Sequence, residues 1–331
     1  MNINPQDDKR LFLLDAYALI YRAYFAFSRN PLMNSKGMNV SAISGFTSTL
    51  IDLMQKEKPT HLAVVFDSAE ETTRAAEFSF YKANREAMPE DIQKSIPWIK
   101  EIIAGFSIPM LELAGYEADD IIGTIAKRKA REGHVVYMVT PDKDYGQLVE
   151  ENIYMYKPGR QGSDVEILGV KEIQEKWEVD SPLQVIDILG MWGDAVDNIP
   201  GIPGVGEKTA KKLIKEFGSM EAVINRASEL KGKLRENVEN FAEQGLVSKM
   251  LATIILDVPV DVDDEDLLIS PPDKEKLSAL FAELEFRSMG RKILGEDYSV
   301  NRVQTSKPAA AAPSNGQMDL FGEPSDHDAP M

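Results

Sequence analysis

The chain has 331 residues, no cysteine, three histidines and a formal charge of −17. Lack of thiols excludes disulfides and thiolate metal sites, and three scattered histidines argue against zinc. A catalytic metal must therefore rest on carboxylates, which favours hard cations, Mg2+ first and Mn2+ as a substitute. No apolar run has the length to cross a bilayer, and MNINPQDDKR lacks the charged-then-apolar layout of a secretion signal, so the expected address is cytoplasmic with no membrane partner.

In chain order, the first apolar run, LFLLD, closes at Asp15 and reads as a buried strand. Ile43, Phe46, Leu50, Leu53 and Met54 follow at helical spacing, and a second strand, HLAVVFD, closes at Asp67. The stretch 68–97 lies between core elements and is long enough to cover a site as a helical gateway. Within it Lys82 and Arg85 stand three apart, a helical spacing that aims two cations at one point; a solvated basic face is the alternative. GYEADDIIGT puts Glu117, Asp119 and Asp120 in the first turn of a helix that stops at Gly133. They could simply cap it and oppose its dipole, although Glu117 and Asp120 share a face and could reach one cation. The strand HVVYMV then delivers Asp142 and Asp144, which could equally be ordinary turn formers.

Strands alternating with helices predict an α/β fold with a mostly parallel sheet, and in such sheets the functional crevice lies beyond the carboxyl ends of the strands. From about Trp177 the pattern turns helical: PLQVIDILGMW, GEKTAKKLIKEFG, MEAVINRA and DKEKLSALFAELEF, with Asp194 and Asp197 in GDAVDNIPG. Gly204 and Gly206 in GIPGVGEKTAKKL let backbone amides approach a phosphate, with Lys208, Lys211 and Lys212 as cationic support. DVDDED, 261–266, reads as a solvated loop, and after Gly295 the apolar content is too low to order a backbone.

The negative charge argues against a nucleic-acid partner until its distribution is considered. Two carboxylates about 4 Å apart repel by roughly 4 kcal/mol at an effective dielectric near 20, so gathering many at strand ends requires cations between them. Bound metal inverts the local sign.

LLDAYALIYRAYFA, VVFD, YKANREAMP, GYEADDIIGT, TPDKDYGQL and GDAVDNIPGIPGVGEKTAKKL, in this order and spacing, resemble the 5′ nuclease domain of bacterial DNA polymerase I, a flap endonuclease relative, over roughly residues 9–295. The resemblance implies a PIN-like nuclease core over 1–175, a helical lobe over 176–295 with a helix-hairpin-helix at 198–216, and a disordered tail or linker over 296–331. It implies metal ligands at Asp15, Asp67, Glu117, Asp119, Asp120, Asp142, Asp144, Asp194 and Asp197, with Asp119, Asp142 and Asp144 foremost and Asp194 and Asp197 nearer a second ion. Arg22, Lys82 and Arg85 match the family's basic active-site positions, and Tyr81 its substrate-stacking aromatic. Gly204, Val205, Gly206, Lys208, Thr209, Lys211 and Lys212 match its duplex-binding hairpin, which in the family also ligates K+.

Two departures touch no ligand: Ala16-Tyr17 follows Asp15 where relatives carry a small polar pair, and Glu86 replaces a common proline. The implied function is two-metal hydrolysis of DNA with 5′ ends or flaps, by a free-standing nuclease or a fragment of a polymerase. In the tail, Gln317, Leu320 and Phe321 resemble a peptide that docks on the bacterial sliding clamp; a linker with chance hydrophobics is the alternative. The rival functions are a noncatalytic hairpin DNA-binding protein, a PIN-type ribonuclease that shares Asp15, Glu117 and Asp142, and an acidic cation store.

Overall fold

A computed structural model describes residues 9–159 and 164–298, so the tail peptide Gln317–Phe321 lies outside the described residues. Strand β1 (Arg10–Asp15) leads into helix α1 (Ala16–Ala26), and α2 (Ser41–Glu57) returns the chain to β2 (His61–Val65). Next come the short α3 (Thr73–Glu77), α4 (Glu90–Gly105), β3 (Met110–Leu111), α5 (Ala118–Arg131) and β4 (Val135–Val139). A 3-10 turn at Lys143–Leu148 precedes β5 (Ile153–Lys157), β6 (Glu166–Leu168) and α6 (Val170–Trp177). The remaining helices are α7 (Gln184–Trp192), α8 (Glu207–Phe217), α9 (Met220–Asn225), α10 (Gly232–Asn240), α11 (Ala242–Ala252), α12 (Lys274–Glu283) and α13 (Arg287–Leu294).

The six strands pair in the order β3-β2-β1-β4-β5-β6. All pairings are parallel except β5 with β6, as the apolar runs predict. Each residue of β1 is buried, because the strand is covered on both faces. Leu11 and Leu13 point to α5 and the helical lobe, while Phe12 and Leu14 point to α1, α2 and α4. Chain direction through the sheet reverses between β1 and β4, which is the switch point where a parallel sheet opens a crevice.

The structure redraws two expected boundaries. The gateway is expected over 68–97, but α4 begins at Glu90 and buries Ile92, Ile99, Ile102 and Ile103 in the sheet's core, so the stretch between β2 and that helix is 68–89, anchored to the core by Tyr81. The helical lobe is expected to reach 295, but α12 returns to the opposite face of the sheet, where Leu277 and Phe281 are fully buried. Gly105 permits this, since a Cβ there would stand 2.8 Å from Leu277 Cδ2. The apolar core beneath α5 continues without a break through Val185, Ile188, Ile202 and Leu213 of the lobe. Among the described residues no helix is long and apolar enough to cross a membrane.

Candidate active site

Asp15 ends β1 and caps α1 by accepting from Ala18 N at 3.1 Å. Its other oxygen accepts from Thr140 Oγ1 at 3.1 Å and from the buried Tyr145 hydroxyl at 3.0 Å, so the carboxylate is fixed at the switch point. Asp67, just past β2, accepts from Ala118 N at 2.8 Å and is thereby laid against the start of α5. Glu117 and Asp120 form a reciprocal capping box on that helix, with Asp119 between them. After β4, Asp142 caps the 3-10 turn through Asp144 N at 3.0 Å. From the lobe, Asp194 accepts from Val196 N at 2.7 Å and pairs with Lys143.

The nine acids divide by partner. Glu117 takes Lys82 at 2.7 Å and Arg74 at 3.2 Å, and Asp197 takes Arg85 at 2.5 Å and Lys82 at 3.9 Å. Asp120 is 1% exposed and receives both arms of Arg74, at 2.9 and 2.6 Å, as well as Ile255 N. Its oxygens are fully engaged, so the cation it shares with Glu117 is a guanidinium, and the structure does not present it as a metal ligand. Asp15, Asp67, Asp119 and Asp142 have no cationic side chain in ion-pair range among the described residues. Asp144 Oδ1 is buried and accepts no hydrogen bond, although Lys143 Nζ lies 3.4 Å away.

Electrostatics follow this division. Burial, with Asp67 and then Asp142 beside it, pushes the Asp15 carboxyl up to about 7. Burial and the Asp142 charge likewise push Asp144 up to about 7. Asp119 is raised well above the usual range by burial, then by Asp120 and Glu117. Glu117 goes the other way: burial opposes ionisation, but Lys82 and Arg74 outweigh it and hold the group low. Negative charge is therefore least compensated at Asp15, Asp119, Asp142 and Asp144, where burial and neighbouring acids outweigh the cations nearby.

Several expected roles change. Lys82 and Arg85 do converge, but from a turn and not a helix: Lys82 has φ +57° and its amide donates to Asp197 O at 2.9 Å. Tyr81 is 5% exposed with its hydroxyl on Glu117 at 3.1 Å, so it props that acid and has no face open for stacking. Phe80 beside it is exposed. Arg22 donates to the Pro158 and Gly159 carbonyls at 2.6 and 2.5 Å, bracing the end of β5. Arg74, Lys143, Thr140 and Tyr145 join the site without a signal in the sequence. Arg74 and the two hydroxyls stand at no telling spacing, and Lys143 is masked as the middle of an Asp-Lys-Asp triplet.

The hairpin between α7 and α8 is held by backbone contact that only glycine allows. Gly193 and Gly201 have φ +80° and +62°, and a Cβ on Gly201 would lie 2.5 Å from Gly193 N. Gly204 also has positive φ, and Gly206 caps α8 with nothing within 4 Å of its Cβ position, so the backbone there is open. Lys208 and Lys212 are exposed one turn apart, and Thr209 is half-buried. Val205 and Lys211 are corrected. Val205 is buried in the core, and Lys211 turns inward to Glu207 at 2.7 Å and the Lys176 carbonyl at 3.0 Å.

Acids gathered at the switch point of a parallel sheet, beside a hairpin with an open glycine backbone, define a nuclease of the carboxylate-cluster class. Residues 10–178 match the family described as 5′-3′ exonuclease, N-terminal resolvase-like domain, and 180–275 match 5′-3′ exonuclease, C-terminal SAM fold. The chain therefore belongs to the 5′-3′ exonuclease family. It is 37% identical to a 5′-3′ exonuclease of Aquifex aeolicus over 86% of this chain and 95% of that one. DNA polymerase I of Bacillus subtilis is 40% identical over 87% of this chain, which spans 32% of that longer protein. The fold is similar to a bacteriophage T5 flap endonuclease solved with DNA and metal ions (20% identity, TM-score 0.61, 86% of this chain and 98% of that one). It is also similar to the catalytic core of Rad2 with DNA substrate (17% identity, TM-score 0.59, 87% and 92% covered).

Proposed function

We propose that this nuclease is a structure-specific 5′-3′ exonuclease and flap endonuclease that removes primers and flaps from DNA in replication and repair, using two Mg2+ ions. The observation that carries this reading is the set of poorly compensated acids, above all the buried and unbonded Asp144 Oδ1. Oxygen-only donors of this kind fit Mg2+ or Mn2+. Asp15, Asp67, Asp119, Asp142 and Asp144 would hold the ions, with Asp194 nearer the second. When bound, a metal pair supplies a water acidic enough to attack at neutral pH and neutralises the departing oxygen.

Around that centre the protein's own groups orient and compensate. Lys82 and Arg85 lie on Glu117 and Asp197 and would exchange those acids for the scissile phosphate, stabilising charge that develops on it. Tyr81, Thr140 and Tyr145 hold the acids still while this occurs. The exposed turn at 78–85, with Phe80 open, is the side from which a single-stranded 5′ end would enter. At the hairpin, the Gly201 and Pro203 carbonyls already accept from Gln244 and Asn237, so a K+ ion there would use neighbouring carbonyls.

Labelled 5′-flap duplex is expected to be cut with Mg2+ and spared with EDTA, while matched RNA is spared in both. Flap binding without any cleavage would favour a noncatalytic hairpin protein, and preferred RNA cleavage a ribonuclease. The hairpin reads no bases, so the Lys208→Ala, Lys212→Ala double variant should weaken duplex binding equally on unrelated sequences. It should also reduce the salt dependence of log K by about 2, near 0.9 for each phosphate that is no longer neutralised. An unchanged slope would remove the hairpin lysines from the interface.

A further inference from the structure

At the end of the sheet opposite the acids, the fold brings together two of the three histidines. His61 opens β2 and His134 immediately precedes β4, so the two rings flank the start of β1, 4.8 Å apart edge to face. Asp264, from the segment that returns after α11, sits against both. Its oxygens lie 3.6 Å from His61 Nε2 and 2.9 Å from His134 Nε2, and the three ligand atoms all fall within 4.8 Å of one another.

The opposite nitrogen of each ring is anchored beside a carbonyl or a hydroxyl. His134 Nδ1 lies 3.2 Å from the Lys129 carbonyl, which can only accept, so Nδ1 carries a proton and, in the neutral ring, Nε2 presents a lone pair. His61 Nδ1 lies 2.8 Å from Thr60 Oγ1, which also lies 3.1 Å from the Arg10 carbonyl; with the hydroxyl proton on that carbonyl, this ring too carries its proton on Nδ1 and leaves Nε2 bare. His134 is 0% exposed and its Nε2 has no hydrogen-bond partner, yet it points at a carboxylate oxygen. A lone pair facing a carboxylate oxygen at that distance repels it unless a proton or a metal ion lies between them. An imidazole anchored through Nδ1 to a carbonyl or hydroxyl, with Nε2 turned to a shared centre, is the arrangement that outer-shell contacts impose on metal-binding histidines.

We infer that His61, His134 and Asp264 form a second metal site, separate from the acid cleft, that takes one divalent ion of the Zn2+ type. Ligand atoms on a tetrahedral zinc at 2.0–2.1 Å stand about 3.3 Å apart, so the three atoms, within 4.8 Å of one another without the ion, would draw together around it. Imidazoles select Zn2+ over Mg2+, whereas the oxygen-only cleft prefers the reverse. Water would complete the fourth position.

Lys9 and Lys129 donate to Asp264 at 3.1 and 3.3 Å, and Lys129 also pairs with Glu132. These contacts occupy part of the carboxylate's four acceptor positions and leave the remainder for the ion. Burial lowers both histidines, and the Asp264 charge acts against it. The ion would staple the return segment to the base of the sheet, next to the Ile269 amide on Thr60 O and the Arg128 guanidinium on the Val260 and Val262 carbonyls.

The test is calorimetric titration of the full chain with Zn2+ in excess Mg2+, which fills the acid cleft. One equivalent should bind and raise the melting temperature. Asp264→Asn, at a part-exposed position, and His134→Gln should each weaken binding by at least about tenfold, and Asp142→Ala should not. If His134→Gln fails to fold, imidazole nitrogen resonances of the wild type decide: zinc should shift both Nε2 signals and leave Nδ1 protonated. No uptake in Mg2+, uptake that follows Asp142 instead of Asp264, or a proton on His134 Nε2 at neutral pH would each overturn the site.

Discussion

Replacing Asp144 by Asn should lower Mg2+-supported cleavage of 5′-flapped DNA by about 10³-fold, roughly 4 kcal/mol of lost transition-state stabilisation, and at the same time make the metal-free protein more stable. Both effects come from one atom. Asp144 Oδ1 is buried without a hydrogen bond and beside Asp142, so its charge is a liability until a cation arrives. The pH dependence has a definite sign. Asp15 and Asp144 titrate near 7 in the fold against an ordinary value of 3.8, so between these limits the folded chain holds protons that the unfolded chain releases. Metal-free stability is therefore highest at the acidic end and falls as pH rises toward 7. In EDTA the melting temperature should climb as pH drops from about 8 to about 6; Asp144→Asn should flatten part of that climb, and Mg2+ should abolish it. A wild-type melting temperature indifferent to pH and to Mg2+ would mean that the acids are not crowded.

The scaffold of that site is legible in the chain because burial leaves a plain signature. Strands covered on both faces must be apolar throughout, so β1, β2 and β4 stand out, and the acids that end them are placed by topology at one edge of the sheet. Which acids remain open to metal is not legible. Asp119 and Asp120 are neighbours in sequence, but successive helical positions face about 100° apart, and of the two Asp120 takes the hydrogen bonds of Arg74. That partner stands on α3, 46 residues away, in a stretch without periodicity. Tyr81 is ambiguous for the same reason: an aromatic in a turn can face the solvent or the core, and its contact with Glu117 is tertiary. The shifted boundaries at α4 and α12 share a cause, since an amphipathic helix shows that it has an apolar face but not which layer receives it. Two histidines far apart in the chain meet because β2 and β4 both pair with β1, a fact of strand order that no local pattern carries.

Cations already present in the site act as placeholders. Lys82, Arg85 and Lys143 hold Glu117, Asp197 and Asp194, so the chain can fold before metal binds. DNA would draw the first two toward phosphate, and the acids they release would add negative charge next to the ions. Metal and substrate binding should therefore reinforce each other, because each supplies the counter-charge that the other exposes.

Arg74 is a different kind of cation, and its loss should be the most damaging single change to stability. It is 8% exposed, donates both arms to Asp120 and one of them to the Thr253 carbonyl at 2.9 Å, and lies 3.2 Å from Glu117. It thereby joins the gateway side, the start of α5 and the segment leaving α11. Arg74→Ala strands the carboxylate of Asp120 in a site 1% exposed, and breaking a buried pair from one side costs about 3–5 kcal/mol. The expected result is a large fall in the urea midpoint with an unchanged slope. Adding Asp120→Asn should recover part of the loss, because the orphaned charge disappears while the amide can still meet Ile255 N. Arg74→Lys should recover little, since one ammonium cannot serve both carboxylate oxygens and the carbonyl in the same plane. A midpoint shift equivalent to less than about 1 kcal/mol would show that the pair is screened by water and that α3 is held by other contacts.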